Sequence, residues 1–398
     1  MWRGKSGSSA RNLVLRDTPG KPRKCLSQLT KAALAGYNFF PCSTLVCLAL
    51  IPVTLDAPLR FAIQQLALGA SLDREATAAA FGVVMRGEAT PAQTAALLMG
   101  LRTKGETADE VAGAVLALRC AMVTLDTSDP ELLVDTCGTG GGKVGTLNIS
   151  TAAAFVVAGA GVAVAKHGNR SYTSRSGSAD VLEALGIDIN LPPAAAGELL
   201  RSIGLTFLFA PTYHPAMRHV GPVRKELGVP TIMNLLGPLA NPAGVTRQVV
   251  GVADATRAEL VAETLAALGT RHALVLHASV GMDEISPSGS TLVWEVKGRE
   301  VNRWELAPAR YDLECGDLEA LAGGAPEENA ARMERLFSGE AEKVVRCAVL
   351  LNAAAALYVS ANGWSLEEAV ERGEKSLASG AAARVLSRLR TAAPAKKA

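Results

Sequence analysis

From Leu59 to about Met122 apolar residues recur at i, i+3, i+4 and i+7, the spacing of one helix face. The segments FAIQQLALG, REATAAAFGVVMRG, PAQTAALLMGLRTKG and ADEVAGAVLALRCAM follow it, with Gly, Asp, Thr or Pro at their ends. Four short helices without strands predict a small helical domain. Beyond Leu132 the pattern changes. Short apolar runs (LLVD, VAVAK, LTFLFA, QVVGVA, HALVLHA) alternate with helical stretches such as VLEALG, AAAGELLRSIG and RAELVAETLAALG. That alternation implies right-handed crossovers and a mainly parallel sheet covered by helices on both faces. TLVWEVKGREVNRWEL alternates with period two and turns at Lys297-Gly298, so it reads as an antiparallel hairpin. From about Glu327 the chain returns to helix. The expected fold is α/β: a small helical domain over 59–125, joined by part of 212–242, and a larger α/β domain over 126–398 with a mainly parallel central sheet.

Residues 1–58 stand apart. They hold eight Lys or Arg against two acids, Asp17 and Asp56, and their apolar patch from Phe39 to Val53 is interrupted by Pro41 and Pro52. The patch is too short and broken to span a membrane, and it lies too far along for an ordinary signal peptide. We read 1–58 as an extension outside the fold, with an organelle leader as the alternative, and expect a chain starting near Leu59 to fold and stay active. The rest holds 32 of the 40 basic and 36 of the 38 acidic residues, a net charge of −4. A mildly acidic body lacks the basic face that nucleic-acid binding needs. The seven cysteines are scattered, with no CxxC pair. That excludes a disulfide framework or zinc site and fits a reducing, cytoplasmic setting.

Four constellations bear chemistry. The run Asp135-Thr-Cys-Gly-Thr-Gly-Gly-Gly-Lys143, then Thr146-Leu-Asn148-Ile149-Ser150-Thr151, leaves a strand and enters a helix. Glycine-rich backbone can turn its N–H groups onto an anion, and a helix start adds free donors. The loop is neither GxGxxG nor GxxxxGK[ST], which argues against dinucleotides and the P-loop; a tight turn without a ligand stays open. The run from Lys166 to Asp180 gathers basic and hydroxyl side chains after the next strand, where α/β sheets present ligands, or forms a solvated loop. Two such loops suggest a substrate with two phosphate groups. Asp283-Glu284 follows the strand HALVLHA; adjacent carboxylates suit Mg²⁺ bridged to phosphates, although acidic pairs on loops are usually just solvated. In the segment from His214 to Gly228, Arg218 and Arg224 could grip a carboxylate or simply face water.

Together these motifs resemble the anthranilate phosphoribosyltransferase family. CGTGG at 137–141, NIST at 148–151, KHGNR at 166–170, SGSAD at 176–180, HPAMRHVGPVRKELGVPTIMNLLGPLANP and Asp283-Glu284 occur in the family's order. The resemblance implies transfer of the phosphoribosyl group of 5-phosphoribosyl-1-pyrophosphate (PRPP) to anthranilate in tryptophan biosynthesis. It implies that Gly138, Gly141, Gly142, Thr146, Asn148, Ile149, Ser150 and Thr151 hold PRPP, with Lys166, His167, Gly168, Asn169, Arg170, Ser171, Tyr172, Thr173, Ser174 and Ser178. Mg²⁺ would be held by Ser150, Asp283 and Glu284, and anthranilate by Gly138, Asn169 and Arg224. It also implies a homodimer through the helical domain. One departure stands out: where the family usually has Asp after GTGG, this chain has Gly142 followed by Lys143.

The chemistry needs no nucleophilic side chain. If pyrophosphate leaves to give an oxocarbenium-like ribose carbon, the weakly nucleophilic amine attacks without an enzymic base. The protein's work is then positioning and electrostatic stabilisation. Cys137 reads as a small packed residue, and His167 as a backbone anchor, with general acid or base as its alternative. A pyrimidine-nucleoside phosphorylase is the nearest rival reading, but its phosphate loop resembles KHSTGG. A nucleic-acid-binding relative would need the basic groove that this body lacks.

Overall fold

The computed structural model describes residues 56–142, 144–171 and 175–395. Helices α1 (Ala57–Ala67), α2 (Arg74–Met85), α3 (Pro91–Lys104) and α4 (Ala108–Ala121) form the first part. Their starts are written in short polar side chains. Asp73 accepts from the Ala76 N–H, and Thr90 with Gln93 and Thr107 with Glu110 form reciprocal capping boxes, each worth about 1 kcal/mol. Glu110 also accepts from Leu72 N at 2.9 Å and pairs with Lys104 at 2.9 Å. Gly113 brings α4 onto α2, since a Cβ there would lie 2.4 Å from the Arg74 carbonyl oxygen. Helix α1 begins at Ala57 and its preceding Asp56 accepts from Gln93 at 2.7 Å. Asp56, Ala57 and Pro58, assigned above to the extension, therefore belong to the folded unit. Residues 1–55, the rest of that extension, lie outside the described residues.

The sheet follows. Strand β1 (Val134–Gly138) leads to α5 (Ile149–Gly159), β2 (Val164–Gly168), α6 (Ser178–Ala184), α7 (Pro193–Ile203) and β3 (Leu205–Phe209). Short helices α8 (Ala210–Tyr213), α9 (Gly221–Leu227) and α10 (Met233–Leu239) return the chain to β4 (Arg247–Gly251). Then come α11 (Ala258–Ala267), β5 (His272–Ala278), the hairpin β6 (Thr291–Lys297) and β7 (Glu300–Leu306), and helices α12 (Pro326–Ser338), α13 (Lys343–Val359), α14 (Leu366–Ala378) and α15 (Ala381–Ala392). Strand order is β3-β2-β1-β4-β5-β6-β7; the first five are parallel, and β6 and β7 run antiparallel. The hairpin pairs Lys297 with Glu300, so its turn is Gly298-Arg299, one residue later than the sequence suggested. Gly298, at φ +62°, takes the positive-φ position.

Alternate residues of the strands serve two cores. Val249, Leu274, Leu276 and Val293 pack with α5 and the almost wholly buried α13. Val250, Ala273, Val275 and Trp294 pack on the other face with α11, α1 to α4, and residues 216–240. The helical part thus shares a core with one face of the sheet.

Two strands run further than their sequence runs suggested. LLVD and VAVAK predicted β1 and β2 to end at Asp135 and Lys166, but they end at Gly138 and Gly168. Glycine is a weak strand former, yet β1 is central: Gly138 pairs in register with Gly251 of β4, and Gly168 of β2 with Phe209 of β3. Pairing with neighbours overrides local preference here.

Candidate active site

The chain builds β1, β2, β3 outward on one side and β4 onward on the other, so the order reverses between β1 and β4. A crevice opens outside the carboxyl ends of the strands at such a switch point. Three parallel strands, β2, β1 and β4, end there in Gly168, Gly138 and Gly251. Gly140 and Gly141 have φ of +68° and +82°, conformations that side chains resist. The loop is tied to β4 by Thr139 N donating to Gly251 O at 2.8 Å. Lys143 is outside the described residues, as are Tyr172, Thr173 and Ser174.

Asp283 and Glu284, on the loop after β5, reach into this crevice. Ser150 N, in the first turn of α5, donates to Glu284 at 3.0 Å, and Thr146 Oγ1 donates to it at 3.1 Å. Glu284 thus sits where the sequence pattern placed an anion, at free N–H groups of a helix start. Asp283 lies against the glycine loop: a Cβ on Gly138 would meet its Oδ2 at 3.2 Å, and one on Gly142 its Oδ1 at 2.9 Å. Burial pushes the Asp283 carboxyl up. Burial and then Asp283 push Glu284 up to about 8. Ser150, Asp283 and Glu284, the three sequence-predicted metal ligands, line one cavity with Thr136, Cys137 and Asn352. Hard oxygen donors and two carboxylates that resist joint ionisation suit a divalent cation. Among the described residues no group of three or more His, Cys, Asp or Glu could hold a metal.

Because β2 continues to Gly168, Lys166 and His167 are strand residues and point to opposite faces. Buried Lys166 donates to the Thr136 carbonyl oxygen and stands 3.3 Å from Ser150 Oγ. It places a cation beneath the start of α5, though burial lowers its proton affinity. His167 Nδ1 is 3.2 Å from Gly237 O, and burial followed by His214 holds its pKa down to about 3, so the ring is neutral. Its Nε2 is buried without a partner among the described residues, 5.0 Å separating its ring centroid from that of His214.

The following loop folds around Asp180, which accepts from Ser171 N at 3.2 Å and Gly177 N at 2.8 Å. Arg170 is engaged by Asp180 at 2.8 Å and Glu183 at 2.5 Å. In this structure the Arg170 charge, which the family pattern assigns to PRPP, is matched by these two carboxylates. Asn169 O accepts from Ser178 Oγ at 3.2 Å. Arg224 lies on α9, which packs on α3 of the helical part, whereas Gly138 ends β1 and Asn169 follows β2. Burial pushes the Cys137 thiol up, keeping it protonated, as a packed residue should be.

Four buried residues carry the site without being singled out in sequence. Asn241, in GPLANP, donates to Asp135 Oδ2 and Ala165 O, both at 2.8 Å. His214, in HPAM, lies beside His167. Asn352 grips the Ile285 peptide both ways, accepting from its N–H at 3.0 Å and donating to its oxygen at 2.9 Å, which sets the backbone next to Glu284. Asn329 donates to Asn148 at 3.0 Å. For the last two the available signal was a lone amide in an apolar helix face, LLNAAAAL and ENAARM.

Two family models match the chain: glycosyl transferase family, helical bundle domain, over residues 61–122, and glycosyl transferase family, a/b domain, over 130–383. An anthranilate phosphoribosyltransferase from Azorhizobium caulinodans is 48% identical over 333 residues, 84% of this chain and 96% of that protein. The chain belongs to the anthranilate phosphoribosyltransferases. Another relative of that name, from Salinibacter ruber, is 47% identical over 285 residues, 71% of this chain and 83% of that protein. The crystal structure of the Thermus thermophilus anthranilate phosphoribosyltransferase superposes with a TM-score of 0.79 at 44% identity, covering 83% of this chain and 98% of that one. The Saccharomyces cerevisiae anthranilate phosphoribosyltransferase, in complex with PRPP and Mg, superposes at 0.77 with 28% identity, over 85% and 98%.

Like other anthranilate phosphoribosyltransferases, the chain is a glycosyltransferase with a helical bundle and a larger α/β part. Its departure at Gly142 falls at a sensitive point, because position 142 lies directly over the Asp283 carboxylate.

Proposed function

We propose that this chain transfers the phosphoribosyl group of PRPP to the amino group of anthranilate, the C1–O bond to pyrophosphate breaking as the C1–N bond forms and the amine releasing a proton. The observation that carries this reading is the convergence at one switch point of the glycine loop, the start of α5 and the Asp283-Glu284 pair, with Arg224 on the adjoining helical part. PRPP is assigned to the 138–151 and 166–178 loops, including Gly141, Gly142, Ile149, Thr151 and Gly168. Anthranilate is assigned to Gly138, Asn169 and Arg224. Ser150, Asp283 and Glu284 would hold Mg²⁺, which when bound neutralises charge on a pyrophosphate leaving group. Lys166 adds a buried positive charge beside Ser150. His167, neutral and anchored on Gly237 of α10, ties the end of β2 to that helix and needs no proton transfer. Mixing the protein with anthranilate, PRPP and Mg²⁺ should deplete anthranilate fluorescence and give N-(5-phosphoribosyl)anthranilate. No product under these conditions would overturn the assignment.

Arg224→Ala should raise the anthranilate KM tenfold or more and the PRPP KM little. Losing one charge-assisted contact costs about 1.5–3 kcal/mol. Equal weakening of both substrates in steady-state kinetics would place Arg224 in the framework instead.

Gly142→Asp should lower the Mg²⁺ concentration needed for half-maximal rate. The new Cβ would stand 2.9 Å from Asp283 Oδ1, the end of a side chain that can swing aside. A further carboxylate about 4 Å from a cation gains roughly 1 kcal/mol even with water-like screening, so a several-fold shift is expected. An unchanged Mg²⁺ titration would mean that position 142 does not face the cation.

We further propose a cytoplasmic homodimer. The half-exposed Phe61 on α1, the 80% exposed Leu68 just after it and Leu116 on α4 are apolar side chains of the helical part that a second copy would cover. Among the described residues no helix is long and apolar enough to cross a membrane. Residues 1–55 are given no part in the chemistry.

A further inference from the structure

The two loops assigned to PRPP come from different strands, and one side chain ties them together. Asn148 Nδ2 donates to Ser176 O at 3.0 Å, and Ser176 Oγ donates to Asn148 Oδ1 at 3.3 Å. The same Asn148 oxygen takes a second hydrogen bond, 3.0 Å long, from Nδ2 of Asn329, a residue 181 positions away on α12 and 1% exposed. Asn329 Oδ1 in turn accepts from Gly324 N at 2.9 Å.

Gly324 belongs to a strap that lies along the first loop. Leu147 N donates to Leu321 O, and Gly323 N to Gly145 O, each at 2.9 Å. Thr146 and Ala322 form a bridge. The approach is close enough to require glycine, since a Cβ on Gly323 would stand 2.4 Å from Thr146 O. Four polar groups thus form one relay, from the Gly324 peptide through Asn329 and Asn148 to Ser176. Each amide is oriented by an acceptor or donor that cannot reverse: Gly324 N can only donate and Ser176 O can only accept. The Asn148 oxygen, a carbonyl with two lone pairs, has both engaged.

We propose that Asn329 is a positioning residue for PRPP binding: it fixes the Asn148 amide, and through it the separation of the two phosphate loops, without touching the substrate. The proposal rests on the assignment of those loops to PRPP. Asn148, assigned to phosphate from the family pattern, holds the two loops in register as its first task.

The discriminating variant is Asn329→Asp. It keeps the acceptor for Gly324 N but turns a carboxylate oxygen toward the Asn148 oxygen, so two acceptors face each other. PRPP should bind about tenfold more weakly, the loss of one buried hydrogen bond with a repulsive contact in its place. That weakening should read as a higher PRPP KM and as a higher Kd in calorimetric titration with PRPP and Mg²⁺ alone. The anthranilate KM at saturating PRPP and kcat should stay near wild type. Asn329→Ser, which is small and uncharged, should weaken PRPP less. Combined with Ser176→Ala, either variant should be less than additive, because both act on the same Asn148 amide. A lower melting temperature with unchanged PRPP affinity would show that Asn329 merely stabilises α12 and would overturn the proposal. So would insolubility of both Asn329 variants. The wild type separates the two levels: if it does not bind PRPP, the functional assignment fails, whereas wild-type binding with unaltered variants sinks the positioning role alone.

Discussion

Replacing Asp283 by Asn and Glu284 by Gln together should cut turnover on the order of a thousandfold and remove its dependence on Mg²⁺, while the fold survives. A divalent ion at a leaving pyrophosphate contributes several kcal/mol, and each 1.4 kcal/mol is about a factor of ten in rate. The amides keep the shape: the Gln oxygen at 284 can still accept from Ser150 N while its NH2 donates to Thr146 Oγ1, so the start of α5 stays capped. What is lost is charge. The neighbourhood shows that charge is held there at a cost: burial, then Asp283, pushes Glu284 up to about 8, with Lys166 opposing weakly. In the metal-free protein Glu284 therefore keeps a proton below about 8, whereas the unfolded chain releases it near 4.5. Between those values the folded state binds the extra proton, so stability falls as pH rises through that window and is lowest above it. Glu284→Gln should flatten this fall in melting temperature. By the same proton balance, the Mg²⁺ requirement of the wild type should climb as pH drops below about 8. Wild-type turnover by the double variant, with an unchanged Mg²⁺ response, would remove the pair from the metal site.

Much of this arrangement was legible in the residues. The helical period from Leu59 onward, the strand and helix alternation after Leu132 and the hairpin at Gly298 correspond to elements of the structure, because burial of one face enforces a period. The positions of the two loops were legible too, since runs of glycine and hydroxyl residues mark where a strand gives way to a helix. Strand ends were not. Thr136 to Gly138 and His167-Gly168 look like loop, and only lateral pairing with β4 and β3 makes them strand. That shift takes His167 out of the loop and fixes it on the strand face opposite Lys166. The long-range amides were illegible for a different reason. Asn329 and Asn148 are 181 residues apart, and nothing local in ENAARM says which loop its side chain will meet. The partners of Arg170 are local by contrast: Asp180 and Glu183 lie 10 and 13 residues further on.

Gly251→Ala should be nearly as damaging as losing the carboxylates, although it changes no charge. Gly251 ends β4 at the switch point, in register with Gly138. The loop after β5 crosses it so closely that an added Cβ would stand 1.6 Å from the Asp283 carbonyl oxygen and 2.7 Å from the Asp283 carbonyl carbon. These are backbone atoms, so no side-chain rotation relieves the contact, and either the loop or the strand end has to move by more than an ångström. The strand is held on both sides, by β1 and β5. The loop yields more easily, and with it go Asp283 against the glycine loop and Glu284 at Ser150 N. A misplacement of about 1 Å costs on the order of a hundredfold in rate. Because the Ile285 peptide is gripped by buried Asn352, the displaced loop also loses hydrogen bonds at 3.0 and 2.9 Å, and some stability goes with them. The expected signature is a large fall in kcat with a raised Mg²⁺ requirement and a moderate drop in melting temperature. Gly141→Ala makes the contrasting control. A Cβ there meets nothing within 4 Å, so it reports only the strain of its φ of +82°. If the two alanines cost activity equally, the close crossing at Gly251 is not what places the carboxylates.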